Sequence, residues 1–185
     1  MDTQHYAQEI VKELEGSVSG LNAGEGEALT ELLLRAGQIF VAGAGRSGLM
    51  GRAFAMRLMQ AGRTAYVVGE TVTPGIGPGD VLVLGSGSGE TKGLVSMAEK
   101  AKAIGAAVVL VTIQPDSTIG RLADYTVKLP GAPKERPDGG YTTLQPMASL
   151  FEQTLLVFYD AVILRIMEQT GQTSGRMFGK HANLE

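Results

Sequence analysis

From residue 39 onward the chain alternates between two hydrophobic rhythms. Short apolar runs, IFVAG (39–43), AYVVG (65–69), VLVLG (81–85) and AVVLVT (107–112), are nearly unbroken and mostly rich in β-branched residues. Strands that read this way are covered on both faces, as in a parallel sheet. YTVKL (125–129) supplies a fifth strand. Stretches of helical spacing follow the first strand, at about 48–61, and the third, at about 91–104. That alternation predicts an α/β fold. Before it, Ile10, Val11 and Leu14, then Leu29, Leu32 and Leu33, recur at helical spacing, so residues 1–36 should form two amphipathic helices. Gly16, Gly20, Gly24 and Gly26 loosen the region between them. After the sheet, PGAPKERPDGG (130–140) is a loop, the one plausible internal break, and too short to separate domains. Residues 144–169 then read as one long helix, with Pro146 in its first turn, Gly171 as its stop and a tail at 171–185. The whole of 1–185 is expected to be a single domain.

Composition narrows the function without choosing it. With 44% apolar and 19% charged residues, the chain should fold as an ordinary globule. The net charge is −3 and the cations are scattered, which argues against a nucleic-acid or anionic-membrane partner. No cysteine is present, so disulfides, thiolate zinc sites and a cysteine nucleophile are excluded. The N-terminus lacks an apolar signal core, and no uncharged run approaches a membrane span; the expected location is the cytoplasm.

Two loops carry the candidate chemistry. In FVAGAGRSGLM, Gly43, Gly45 and Gly48 spell the G-x-G-x-x-G of dinucleotide binding, in the required place between strand and helix. Glu70 even lies where a ribose partner would sit. The second loop, GSGSGETKG (85–93), sets the hydroxyls of Ser86, Ser88 and Thr91 among three glycines at the start of a helix. Backbone N–H groups, hydroxyls and a helix N-terminus together suit a compact phosphate monoester. In a doubly wound sheet of order 2-1-3-4-5, strands one and three are neighbours and ligands bind at the reversal between them. Both loops would then face one crevice, and two hydroxyl-bearing loops around one point favour a small phosphorylated ligand over a dinucleotide.

Beyond these loops, GAGRSG followed by GSGSGET resembles the SIS (sugar isomerase) fold, whose serine-rich loop binds phosphosugars. AGRSGL, FAMRLMQAG, TPGIGPGD, GSGSGETK, QPMASLFEQTLLVFYDAV and the terminal HANLE together are similar to the 6-phospho-3-hexuloisomerase family of the ribulose monophosphate pathway. The resemblance runs from about residue 37 to the C-terminus. It implies interconversion of D-arabino-3-hexulose 6-phosphate and fructose 6-phosphate through an enediol(ate), without metal or organic cofactor. It also implies a three-layer α-β-α sandwich, with a five-stranded parallel sheet, assembled as a homo-oligomer, a tetramer by expectation. Two other readings stay open: a non-catalytic SIS module that senses a sugar phosphate, and another phosphosugar isomerase such as arabinose-5-phosphate isomerase.

Moving a carbonyl from C3 to C2 needs one base held over both carbons. Glu152, amid the apolar neighbours of SLFEQTLLVF, is the candidate, because such a base requires partial burial. Local sequence alone equally allows a solvated helix stripe with Gln153 and Asp160; the resemblance implies that Glu152 is the proton acceptor. His181, in the tail GKHANLE, is either an exposed tail residue or, as the resemblance implies, an acid/base donated to a neighbouring subunit's crevice. The expected substrate-binding set is Arg46, Ser47, Ser86, Gly87, Ser88, Gly89, Glu90 and Thr91. Arg46 could equally make a salt bridge to a nearby carboxylate. Lys92 and His5 read as solvated helix residues. Phe151, Leu155, Phe158 and Val162 fall at helical spacing and read as core or subunit interface.

Overall fold

The computed structural model describes residues 1–131 and 143–184, so most of the 130–140 loop lies outside the described residues. In chain order the elements are α1 (Thr3–Ser19), α2 (Ala23–Arg35), β1 (Ile39–Gly43), α3 (Gly45–Gln60), β2 (Ala65–Val67), β3 (Val81–Gly85), α4 (Lys92–Ile104), β4 (Ala107–Thr112), α5 (Thr118–Leu122), β5 (Tyr125–Lys128), α6 (Ser149–Thr170) and α7 (Ser174–Phe178). The sheet is parallel throughout, in the order β2-β1-β3-β4-β5. It is the doubly wound order expected from the sequence.

The apolar runs of β1, β3 and β4 are buried on both faces because their odd and even residues enter different cores. Ile39, Val41, Val81 and Val83 join Leu29 and Leu33 of α2, Phe54 and Leu58 of α3 and the inward face of α6. Phe40, Leu82 and Leu84 join Leu94, Ala98 and Ala101 of α4 and Ile119 of α5. Burying a Leu or Phe side chain contributes about 1.5–3 kcal/mol, so these two layers fix the sheet between helices. Among the described residues no helix is long and apolar enough to cross a membrane.

Two local expectations need correction, at the glycines of the first helices and at the start of the long helix, and the structure adds detail at the β2–β3 link and in two short helices. Gly16, Gly24 and Gly26 lie inside α1 and α2; only Gly20 falls at the break, as the C-cap of α1. The link from β2 to β3 is a series of turns, consistent with its Gly and Pro residues, and Asp80 fastens its end by accepting the N–H groups of Gln38 (3.0 Å) and Gly77 (2.8 Å). The short helices α5 and α7 span five residues each, too few to show a period. The long helix starts at Ser149, not 144, so Pro146 precedes it in a turn. Gly171 does end it, in the left-handed conformation (φ +64°).

Phe151, Leu155, Phe158 and Val162 are all buried within the chain. They pack into the same core as α2 and α3, and the apolar breadth of α6 is largely covered by the sheet and by α1, α2 and α3.

Candidate active site

The register pairs Gly43 with Gly85, so the loops that follow β1 and β3 leave the sheet side by side. The first loop is glycine-rich for a packing reason. A Cβ on Gly43 would lie 2.9 Å from the Gly48 Cα, and one on Gly48 would lie 2.6 Å from the Gly43 carbonyl oxygen. Only bare backbone lets α3 start this close to β1. Gly45 adopts φ +56°, a conformation glycine takes without penalty.

The second loop folds on its own hydroxyls. Ser86 Oγ accepts the Gly89 N–H (3.1 Å), and Ser88 Oγ accepts the Glu90 N–H (3.2 Å). Gly89 sits at φ +62°, where a Cβ would be 1.9 Å from Ser117 Oγ. Gly87 turns its carbonyl to the Thr112 hydroxyl (3.0 Å) and lies under Phe151, whose ring would be 3.2 Å from a Cβ there. Thr91 caps α4 through its carbonyl, which accepts the N–H groups of Leu94 and Val95 (both 2.9 Å), and makes no capping hydrogen bond with its side chain; the N–H groups at the very start of a helix have no acceptor within it.

Together the loops line a cleft of about 760 Å³ beyond the carboxyl ends of the strands. Ser47, Ser86, Gly87, Ser88, Glu90 and Thr91 line it, with Ala148, Phe151 and Glu152 from the other side. The Glu90 carboxylate is engaged by α5. It accepts the Thr118 N–H (2.7 Å), which with the Thr118 hydroxyl holds that carboxyl below the usual glutamate range. Gly89 shapes the loop but is not itself part of the lining.

Glu152 is buried, with 6% of its side chain exposed, and its Oε2 accepts a hydrogen bond from Arg46 Nη1 at 3.0 Å. A solvated stripe is therefore excluded for this residue, and the salt-bridge reading holds for Arg46, whose side chain is 47% exposed and is not part of the cleft lining. Lys92 is exposed on α4 and outside the lining. His5 sits on α1, edge-on to Tyr6.

His181 is not brought to this cleft. Both α3 and α6 begin at the cleft and run away from it; the 22 residues of α6 carry the chain about 33 Å. The tail then lies near the far end of α3, with Lys180 Nζ 3.1 Å from where a Gly62 Cβ would be. His181 is exposed, stacks at 6.1 Å on Phe178 and donates from Nδ1 to the Ala182 carbonyl (2.8 Å). Sequence reasoning missed Gln114 and Asp116, which line the cleft from the loop after β4. The rule that ligands meet the carboxyl ends of strands would have pointed to them.

A family model for the SIS domain matches residues 32–164. The chain belongs to the SIS-domain family. Within that family, this SIS-domain protein is 52% identical over its full length, and over the full length of the relative, to a Bacillus subtilis (strain 168) protein named 3-hexulose-6-phosphate isomerase. A Mycobacterium gastri protein of the same name is 45% identical over 157 residues, covering 85% of this chain and 78% of that one. A crystal structure of a Methanococcus jannaschii protein, from which a molecular function of 3-hexulose-6-phosphate isomerase was inferred, superposes with a TM-score of 0.83 at 31% identity, over 98% of this chain and 99% of that one.

Proposed function

We propose that this SIS-domain protein interconverts D-arabino-3-hexulose 6-phosphate and fructose 6-phosphate in the ribulose monophosphate pathway of formaldehyde fixation. The observation that carries this reading is a buried carboxylate, Glu152, on the wall of a cleft whose opposite wall is a serine-rich phosphate loop. Full-length identity to a relative of that name supports the choice of substrate.

The phosphate binds the hydroxyls of Ser47, Ser86, Ser88 and Thr91 and the N-terminus of α4. This grip fixes the reacting carbons beside Glu152, replacing a chance encounter with held geometry. Glu152 removes the C2 proton of the 3-ketose, giving a 2,3-enediolate. The oxygen at C3 gains a proton and that at C2 loses one, and Glu152 returns its proton to C3. Arg46, bonded to Oε2, fixes the carboxylate. The 3-ketose cannot close a furanose, because its O6 is phosphorylated, whereas fructose 6-phosphate closes through O5. An acid/base is needed at O5 only on the fructose side, and an imidazole suits that transfer near neutral pH. The distance of His181 from its own cleft supports donation to a neighbouring subunit, and with it a homo-oligomer, which we take to be a tetramer of one-domain chains.

The test is incubation of the purified protein with fructose 6-phosphate in heavy water. Deuterium should enter at C3 of the ketose and a 3-hexulose phosphate should form; neither appearing defeats the reading. Glu152→Gln should abolish turnover while leaving affinity for inorganic phosphate within about twofold, since removing one general base typically costs 10²–10⁴-fold.

A further inference from the structure

The backbone entering α6 is strained where it meets the cleft. Met147 (φ +58°) and Ala148 (φ +65°) are the positive-φ residues other than glycine among the described residues, and they are consecutive. Such residues persist only where their surroundings over-determine them. Ala148 is the N-cap of α6, offers no side-chain cap and lines the cleft; Glu152 lies one turn further on, its N–H bonded to the Ala148 carbonyl (3.2 Å).

Locally the turn is closed by Ser149, whose N–H (3.0 Å) and hydroxyl (2.7 Å) both donate to the Pro146 carbonyl. The segment that leads into it is fastened from far away in the chain. Glu13, on α1, accepts three hydrogen bonds from the segment just before it: the Leu144 N–H to Oε1 (2.7 Å), and the Thr143 hydroxyl (2.6 Å) and the buried Gln145 side-chain amide (3.0 Å) to Oε2. Thr143 also accepts the Gln145 N–H through its hydroxyl (3.0 Å), so the carboxylate closes a small network. One turn along α1, Ser17 meets Thr154 of α6 through hydroxyls 2.9 Å apart, both fully buried. The helix α1 is thus pinned to α6 at one point and to its approach at another. Burial alone pushes the Glu13 carboxyl up, but the bonds from Thr143, Gln145 and Leu144 outweigh it and hold the group below the usual glutamate range.

We propose that Glu13 is a positioning residue for the isomerisation: its carboxylate clasps residues 143–145, keeps the Met147–Ala148 turn in its strained form, and so sets the position of Glu152 over the substrate. Glu13 is not itself part of the cleft lining. The inference rests on Glu152 as the base. A carboxylate with both oxygens occupied is required, since a neutral amide offers only one acceptor oxygen and would turn its NH2 either toward the Leu144 N–H or toward the donors of Thr143 and Gln145.

The experiment compares Glu13→Gln, Glu13→Asp and Glu13→Ala with Ser17→Ala, which loosens α1 without touching the clasp. For Glu13→Gln we expect kcat to fall about tenfold, because displacements near 1 Å at a reacting centre cost up to about a hundredfold. KM for fructose 6-phosphate and the inhibition constant of inorganic phosphate should stay within twofold, since the phosphate loop is untouched. Glu13→Asp should recover part of kcat. Ser17→Ala should lower the unfolding temperature with kcat unchanged. Should Glu13→Ala fold poorly, the Gln and Asp variants still decide. Unchanged kcat in Glu13→Gln overturns the proposal, as does a rise in KM and phosphate inhibition constant matching the loss in kcat. Undiminished turnover in Glu152→Gln would count against that base instead, leaving the two failures distinguishable.

Discussion

Placing a methyl group on Gly89 tests whether the serine loop, rather than the glycine motif before α3, grips the phosphate. At φ +62° a residue with a side chain costs about 1–2 kcal/mol over glycine. The added Cβ would also lie 1.9 Å from Ser117 Oγ and 2.5 Å from its Cβ. Ser117 cannot simply rotate away, because its hydroxyl accepts the Gly120 N–H (3.2 Å) at the start of α5 and the side chain is buried. The loop must therefore move, and the bond from the Gly89 N–H to Ser86 Oγ, worth about 1 kcal/mol net, is lost. Together the effects reach about 2–3 kcal/mol, set against the loop geometry that receives the ligand. At 1.4 kcal/mol per tenfold, affinity should drop about 30- to 100-fold. Titration calorimetry of Gly89→Ala with inorganic phosphate reads this directly, and steady-state kinetics should show KM rising far more than kcat falls. A folded Gly89→Ala variant that binds phosphate as well as the parent would refute the assignment of the loop.

Tyr159 should be more stable as phenylalanine. Its ring stacks on Phe54 at 4.1 Å, but its hydroxyl is buried without a hydrogen-bond partner among the described residues, so Tyr159→Phe removes a desolvated polar group and should raise stability by about 1 kcal/mol, or 2–4 °C in a thermal scan; a loss of stability would show that the hydroxyl is satisfied. Acid should weaken the clamp between α4 and β5. Burial pushes the Asp124 carboxyl up, yet the Lys102 ammonium and the Val108 N–H (2.8 Å) outweigh it and hold it below the ordinary aspartate value of about 3.9. A depressed carboxyl stabilises fully above the unfolded value and loses that contribution as pH falls through the folded one, so unfolding below about pH 4 should be less steep in Asp124→Asn, measured by circular dichroism. An unchanged acid limb would remove Asp124 from it.

Much of this architecture is legible in residues 39–129, because buried parallel strands leave near-continuous apolar runs that need no neighbours to interpret. The same local logic fails at residues 144–148. Leu144, Gln145, Pro146 and Met147 carry a plausible helical beginning, but Leu144 and Gln145 are tied to Glu13, more than a hundred positions earlier, and a turn closed by Ser149 onto Pro146 follows. No period in the sequence reports such a contact. Glu152 is ambiguous for a related reason: a polar residue every few positions describes a solvated stripe and a buried carboxylate equally well, and only its burial against Arg46 of α3 separates them. The serine loop was readable because its hydroxyls and glycines act locally, within the turn they build. His181 lay beyond reach, since where a tail comes to rest depends on the length and direction of α6.

The close approach of Gly43 and Gly48 bears on redesign of the specificity of this cleft. Those two positions answer to the seam between a strand and a helix, and they would be occupied in the same way whatever molecule lay above. Swapping one phosphorylated guest for another is therefore a matter of hydroxyls and cleft walls, Ser47, Ser88, Gln114 and Asp116 among them. The glycine spacing can be carried unaltered from design to design, as a hinge plate is reused under different doors.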